Sequence, residues 1–187
     1  MKQESLSRYI LRITLVLLTI AVVVAGLLAV VNRITAPVIA ASLEAKTQAA
    51  ISQVLPGGYD TEITDFPDES GMVSKVYQGQ NGYALEVMPM GFDNTITMMV
   101  GIDNEGKVRS IAVISHTESA GLGAVAAANN QKGQAFRGQF AGASGAVSVS
   151  KDGGDIDAIT SATITSRAVC NGVNAALQCV AGLEGGK

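Results

Sequence analysis

Two segments of the chain carry residue types and spacings that can do chemistry. The first is Asp157-Ala158-Ile159-Thr160-Ser161-Ala162-Thr163-Ile164-Thr165-Ser166, a hydroxyl-rich, small-residue loop that runs into a helical pattern. A Ser or Thr here can cap a helix starting near Ser166 by accepting from a free backbone N–H. The same free N–H groups, with the positive end of the helix dipole, also suit a phosphate. Both readings stand on the residues alone. The second segment is His116-Thr117-Glu118-Ser119-Ala120-Gly121-Leu122-Gly123, a polar loop expected at a strand end. It contains the chain's one histidine.

Other chemistries find little support. Gly121 to Ala126 reads G-x-G-x-x-A, but a dinucleotide fingerprint needs its first glycine directly after a strand and a parallel strand with an acid further on. Gly121 lies six positions past the expected strand end at Ser115, and no such acid-bearing strand follows. Hydrolysis by a Ser/His/Asp set would have to recruit His116, and the spacing assembles no triad. We therefore expect no catalytic set and no metal site. The net charge of -3, without a run of Lys or Arg, sets nucleic-acid binding aside. The absence of Trp and the few Tyr and Phe argue against a stacking platform. Cys170 and Cys179 on one helix would sit ~13 Å apart on opposite faces, too far for a disulfide. They read either as small buried residues or as contacts to a partner or a shared metal.

These segments need elements to hold them. Ile13–Val31 is uncharged, and at ~1.5 Å per residue it spans ~28 Å, close to the ~30 Å hydrocarbon core. It exceeds the ~7–15-residue apolar stretch of a secretory leader, although Val38-Ile39-Ala40 imitates a cleavage site. It is expected to be a single-pass anchor in membrane lipid. Lys2, Arg8 and Arg12 before it, against Arg33 and Lys46 after it, favour a cytoplasmic N-terminus. Ala21, Ala25 and Ala29 form a small-residue row that suits helix association or is ordinary membrane composition. Pro37 is expected to begin a second, amphipathic helix that Pro56-Gly57-Gly58 stops. The division is thus 1–34 anchor, 35–58 linking helix and 59–187 soluble domain.

In that domain, 72–78 and 83–88 read as strands. Ile96, Met98, Val100 and Ile102 alternate with Thr95, Thr97 and Met99, and Val108–Ser115 returns after the turn at Asp103–Gly106. The spacing predicts a helix over 124–140, a short strand over 146–151, and a final helix over 167–183 before Gly185-Gly186. The fold class is α+β, a mostly antiparallel sheet packed with helices.

The 157–166 stretch resembles the D-x-x-[ST]-G-A-T-x-T-S signature of membrane FMN-binding domains. That family includes the G subunit of the Rnf ion-translocating oxidoreductase and the C subunit of the sodium-pumping NADH:quinone reductase. The loop at 116–123 resembles the family's H-x-E-T-P-G-L-G loop, which lies against the flavin. The resemblance runs over nearly the whole chain, and the short soluble domain is closer to the Rnf protein. It implies FMN esterified through its phosphate to Thr163, making this a phosphoester-modified flavoprotein. It also implies that Asp157 is read by a flavin transferase. Thr160, Ser161, Ala162 and Ile164 would form the rest of the flavin loop, with Glu118, Leu122 and Thr165 facing the cofactor and Gly123 also binding it. The implied role is electron relay, without an NAD site of its own, in a translocase that couples ferredoxin-to-NAD electron flow to Na+ or H+ movement. Partners would be the other membrane subunits, and the flavin domain would lie outside the cytoplasm of an inner membrane. A membrane-anchored redox sensor or a quinone-reductase-type C subunit are the alternatives. Two departures stand out. Ser161 replaces a glycine, which would be strained if the position has φ > 0. Ser119-Ala120 replaces Thr-Pro and leaves that loop less rigid.

Overall fold

The computed structural model describes residues 6–185, with side chains from Arg8 onward; Lys2 and Gly186 lie outside the described residues. The chain divides into two compact units, Met1–Glu44 and Ala45–Lys187.

The first unit consists of helix α1 (Leu6–Val54) as far as Glu44. Its side chains from Tyr9 to Leu43 are exposed, and it is long and apolar enough to cross a membrane. No second helix starts at Pro37: α1 continues through it. Proline removes one backbone donor, yet Ile34-Thr35-Ala36 and Val38-Ile39-Ala40 supply no glycine or turn residue to end the helix there.

The second unit opens with the last turns of α1 and continues as β1 (Thr61–Ile63), β2 (Val73–Gly79), β3 (Gly82–Val87), β4 (Thr97–Ile102) and β5 (Val108–Ser115). The strands form one antiparallel meander in chain order. Helix α2 (Gln131–Gly138) and helix α3 (Thr163–Gly185) follow. The α+β class is as expected.

The sheet is covered on both faces. On one, Leu85, Val87, Met98, Val100 and Ile111 pack with Val169, Val173, Ala176 and Val180 of α3. Burying each such valine or leucine contributes roughly 1.5–3 kcal/mol. On the other, Ala84, Met99 and Ala112 meet Ala50, Ile51, Val54 and Leu55. Gly101 of β4 lies against the backbone of Val54, where any side chain would collide. This is why β4 is buried on both faces despite its alternating sequence.

Three expectations from the sequence are corrected. The single helix over 124–140 is a 3-10 turn (Gly123–Ala127) followed by α2. The Asn130 side chain accepts from the Gly133 N–H and starts α2 afresh. The strand at 146–151 is only a bridge between Val149 and Ile156, followed by a 3-10 turn over Ser150–Asp152. Helix α3 begins at Thr163, ahead of the start near Ser166 or Arg167.

Candidate functional site

Residues of both chemical segments meet at the N-terminal end of α3. Glu118, Leu122 and Gly123 from the loop after β5, and Ser161, Ala162, Thr163, Ile164 and Thr165 from the α3 entry, line one cleft of about 280 Å3. Phe92 and Ser119 complete its wall. Asp157 and Thr160 lie outside it, in the adjoining groove with Gln139 and Phe136. There Gln139 grips the backbone of Asp157 on both sides: the Asp157 N–H donates to Gln139 Oε1 (2.7 Å) and Gln139 Nε2 donates to the Asp157 carbonyl (3.2 Å). The Asp157 side chain itself is exposed.

The loop into α3 is held from within. The Ser166 hydroxyl donates to the Ala162 carbonyl and accepts from the Ile159 N–H, each at 3.0 Å. Ser166 is therefore a lock inside the first turn rather than the residue that starts the helix. The first backbone bond of the turn runs from Ser166 N–H to the Ala162 carbonyl at 3.0 Å. The N–H groups of Thr163, Ile164 and Thr165 have no earlier helical turn to bond to. Thr163 is half-buried, and its Oγ1 accepts from Lys151 Nζ at 3.3 Å. Beyond Lys151, Asp152 takes both Nε and Nη2 of Arg167, at 2.7 and 2.6 Å.

The preceding residue pair fixes the entry geometry. Ser161 has φ 61°, the one non-glycine residue in the left-handed region among those described. The sequence raised this strain conditionally, and the structure contains it. It orders a turn in which Ala162 is buried while Thr163 and Ile164 face outward.

The buried carboxylate is Glu118, only 7% exposed. Its Oε1 accepts from the Phe92 and Asp93 N–H groups at 2.8 and 3.3 Å, and its Oε2 accepts from the Thr165 hydroxyl. Gly91 and Gly123 both pack against this carboxylate so closely that a Cβ on either would collide with it. Glu118 is thus a fully engaged buried acceptor, not a solvated loop carboxylate. Phe92 is 65% exposed and forms an apolar rim with Leu122 and Ile164.

The sequence reading missed Phe92 and Lys151 as site residues. Gly91, Asp93 and Asn94 mark a turn around Phe92, but no spacing in the sequence brings that turn to the cleft. Lys151 reaches Thr163 only through the 3-10 turn, and no spacing announces it.

Comparison with known proteins covers most of the chain. Residues 1–54 match the RnfG N-terminal region and residues 91–178 match the FMN-binding domain. The chain is 34% identical to the G subunit of the proton-translocating ferredoxin:NAD(+) oxidoreductase complex of Clostridium ljungdahlii, covering 91% of each chain. It is 30% identical to the G subunit of the Na(+)-translocating ferredoxin:NAD(+) oxidoreductase complex of Acetobacterium woodii, again over 91% of each. With the G subunit of the ion-translocating oxidoreductase complex of Methanosarcina acetivorans the identity is 28%, over 96% of this chain and 98% of the other. With both terminal and FMN-binding regions matched and relatives aligned nearly end to end, the chain belongs to the family of ion-translocating oxidoreductase complex G subunits.

Proposed function

We propose that this chain is the flavin-bearing electron-relay subunit of a membrane Rnf-type complex, with FMN carried as a phosphate ester of Thr163. The observation that carries the reading is the place of Thr163. Its hydroxyl sits at the start of α3, beside Lys151 Nζ at 3.3 Å, on a cleft with an apolar rim. The residues fit the group. Free N–H groups of the first turn and the helix dipole favour a phosphate, and Lys151 adds a neutralising cation. Phe92, Leu122 and Ile164 offer apolar surface to a flat ring, and Gly123 keeps the cleft floor clear of a side chain.

The isoalloxazine supplies the redox chemistry, and the protein supplies position and electrostatics. The ester fixes the cofactor without a deep pocket, so the open side of the cleft remains available to electron partners. Glu118 holds the two loops in register by its three hydrogen bonds. Asp157, presented by Gln139 on the neighbouring groove, is the acid that a flavin transferase reads during maturation. Thr160 stands beside it as part of the same recognition segment.

The names of the relatives supply the wider setting: electrons pass between ferredoxin and NAD in a complex that moves an ion. Those names include both proton and sodium translocation, so family membership does not fix the ion. In our reading residues 1–34 anchor the chain in lipid, 35–58 link, and 59–187 form the extracytoplasmic flavin domain. Arg8 and Arg12 lie on the cytoplasmic side, and the other membrane subunits are the partners.

The test is intact mass and visible absorption of the full chain, co-expressed with a flavin transferase, beside Thr163→Ala. We expect a mass increment of FMN less one water and a yellow colour that survives denaturation, both lost in the variant. Wild-type protein without covalent flavin overturns the proposal.

A further inference from the structure

A second cleft, of about 550 Å3, lies where the last turns of α1 meet the end of β5. Its polar wall is Lys46, Gln53, Ser115, His116, Asn129 and Arg137. No Asp or Glu lines it, although acids outnumber bases in the chain as a whole. Two cations and an imidazole thus share one concavity with no counter-charge.

Arg137 is the unusual member. It is only 9% exposed, and among the described residues it has no carboxylate partner. Its Nη1 donates to the Ala126 and Ala128 carbonyls at 2.6 and 3.0 Å, which ties α2 to the preceding 3-10 turn. Nη2 reaches Asn129 Oδ1 only at 3.5 Å, a weak contact. A guanidinium has five N–H donors, so a stapling role for Nη1 leaves Nε–H and Nη2 with only the weak Asn129 contact between them. A buried cation costs free energy unless it is paired, and carbonyl dipoles offset only part of that cost. Burial accordingly pushes its pKa below the ordinary arginine value. His116 adds a further unmet group, since its Nδ1 is buried without a hydrogen-bond partner.

We propose that this cleft is an anion site that takes a phosphate group, with Arg137 as its buried cation and Lys46 as its outer one. The guanidinium fork matches the paired oxygens of a phosphate, and the lysine supplies a mobile second charge. The amides of Gln53 and Asn129 and the Ser115 hydroxyl can donate to the remaining oxygens. The phosphate is either free in solution or the headgroup of an anionic phospholipid, since the chemistry recognised is the same. The site is separate from the flavin cleft: the two share no residue, although the loop after β5 sends His116 to one and Glu118 to the other. The proposal therefore stands whether or not Thr163 carries flavin.

The test is a titration of the full chain in nanodiscs in phosphate-free buffer, following the arginine side-chain Nε–Hε resonances. In phosphatidylcholine discs, inorganic phosphate is the probe and chloride at equal ionic strength is the control. A saturable shift assigned to Arg137, and not given by chloride, is expected if free phosphate is taken. The same shift in phosphatidylglycerol discs without added phosphate identifies the lipid headgroup as the source. Arg137→Gln removes the resonance and also a structural contact, so Lys46→Gln is the deciding variant. Lys46 is exposed, and its change leaves the packing intact. It should weaken the saturable binding roughly tenfold, from whichever source. The proposal is overturned if neither disc gives a saturable shift, if chloride reproduces it, or if Lys46→Gln leaves the affinity unchanged.

Discussion

The carboxylate of Glu118 accepts a hydrogen bond from the hydroxyl of Thr165, 47 residues further along the chain. This contact joins the loop after β5 to the first turn of α3, and the other Glu118 oxygen ties in the Phe92 turn. Three separate segments therefore depend on one buried carboxylate. Glu118→Ala would leave the Phe92 and Asp93 N–H groups and the Thr165 hydroxyl without their acceptor. A hydrogen bond to a charged group is worth ~1.5–3 kcal/mol, and orphaned donors add to the loss. We expect Glu118→Ala to lower stability by about 2–4 kcal/mol in urea denaturation. Glu118→Gln, which keeps one acceptor oxygen, should lose less. Equal stability of Glu118→Ala and wild type would remove the carboxylate from its organising role.

Ser161 offers the opposite sign. At φ 61° an L-residue pays ~1–2 kcal/mol that glycine does not. Glycine in turn loses more backbone freedom on folding, by ~0.5–1 kcal/mol. The balance predicts that Ser161→Gly raises stability by up to about 1.5 kcal/mol, read as a higher urea midpoint. Flavin loading should be retained, because the Thr163 hydroxyl is untouched. A less stable Ser161→Gly protein would mean that the Ser161 side chain makes up for its strained backbone.

Asp68, in the turn before β2, makes part of the stability depend on pH. Burial pushes the Asp68 carboxyl up, but bonds from the Ser70 hydroxyl and the Val73, Ser70 and Gly71 N–H groups outweigh it and hold the pKa below 3.8. A carboxyl depressed in the folded state stabilises above its unfolded pKa, and that stability is lost as pH falls through the folded value. The increment should be whole at about pH 6 and fading by about pH 3. Asp68→Asn should be less stable than wild type at about pH 6, with the difference shrinking towards about pH 3. A pH-independent difference between the two proteins would assign the effect to lost packing instead.

Much of this was legible in the sequence because strand and helix periods are local. Val108–Ser115 alternates around the turn at Asp103–Gly106, and β5 has those bounds. β1 is only three residues long in an acidic stretch, too short to show a period. The alanine-rich run over 124–128 has helix propensity, but Asn129 and Asn130 interrupt it and Arg137 draws its carbonyls aside. The hydroxyl loop and the glycine loop could be found by motif. Phe92 and Lys151 could not, since tertiary contacts alone bring them to the cleft. Gly101 shows the same limit: it marks a close approach, but only the fold reveals that Val54 is what approaches.

The two cysteines give a final test of how α3 sits in its domain. Cys170 and Cys179 are both free and buried, and both belong to the larger hydrophobic core. They are nine positions apart, on opposite sides of the helix, so α3 is covered on more than one face. Burial, with the negative charge of Asp152, pushes the Cys170 thiol up to about 11. Burial, with the charge of Asp68, does the same to Cys179. The thiolate is the reactive form, so neither residue should react at neutral pH in the folded protein. We expect iodoacetamide to leave native protein unmodified and to add two groups once urea has unfolded it. Modification of Cys170 or Cys179 at a rate above that of global unfolding would show that α3 opens locally. In that event the thiol would be a free group at the domain's surface, and the role of a partner contact would return for that residue.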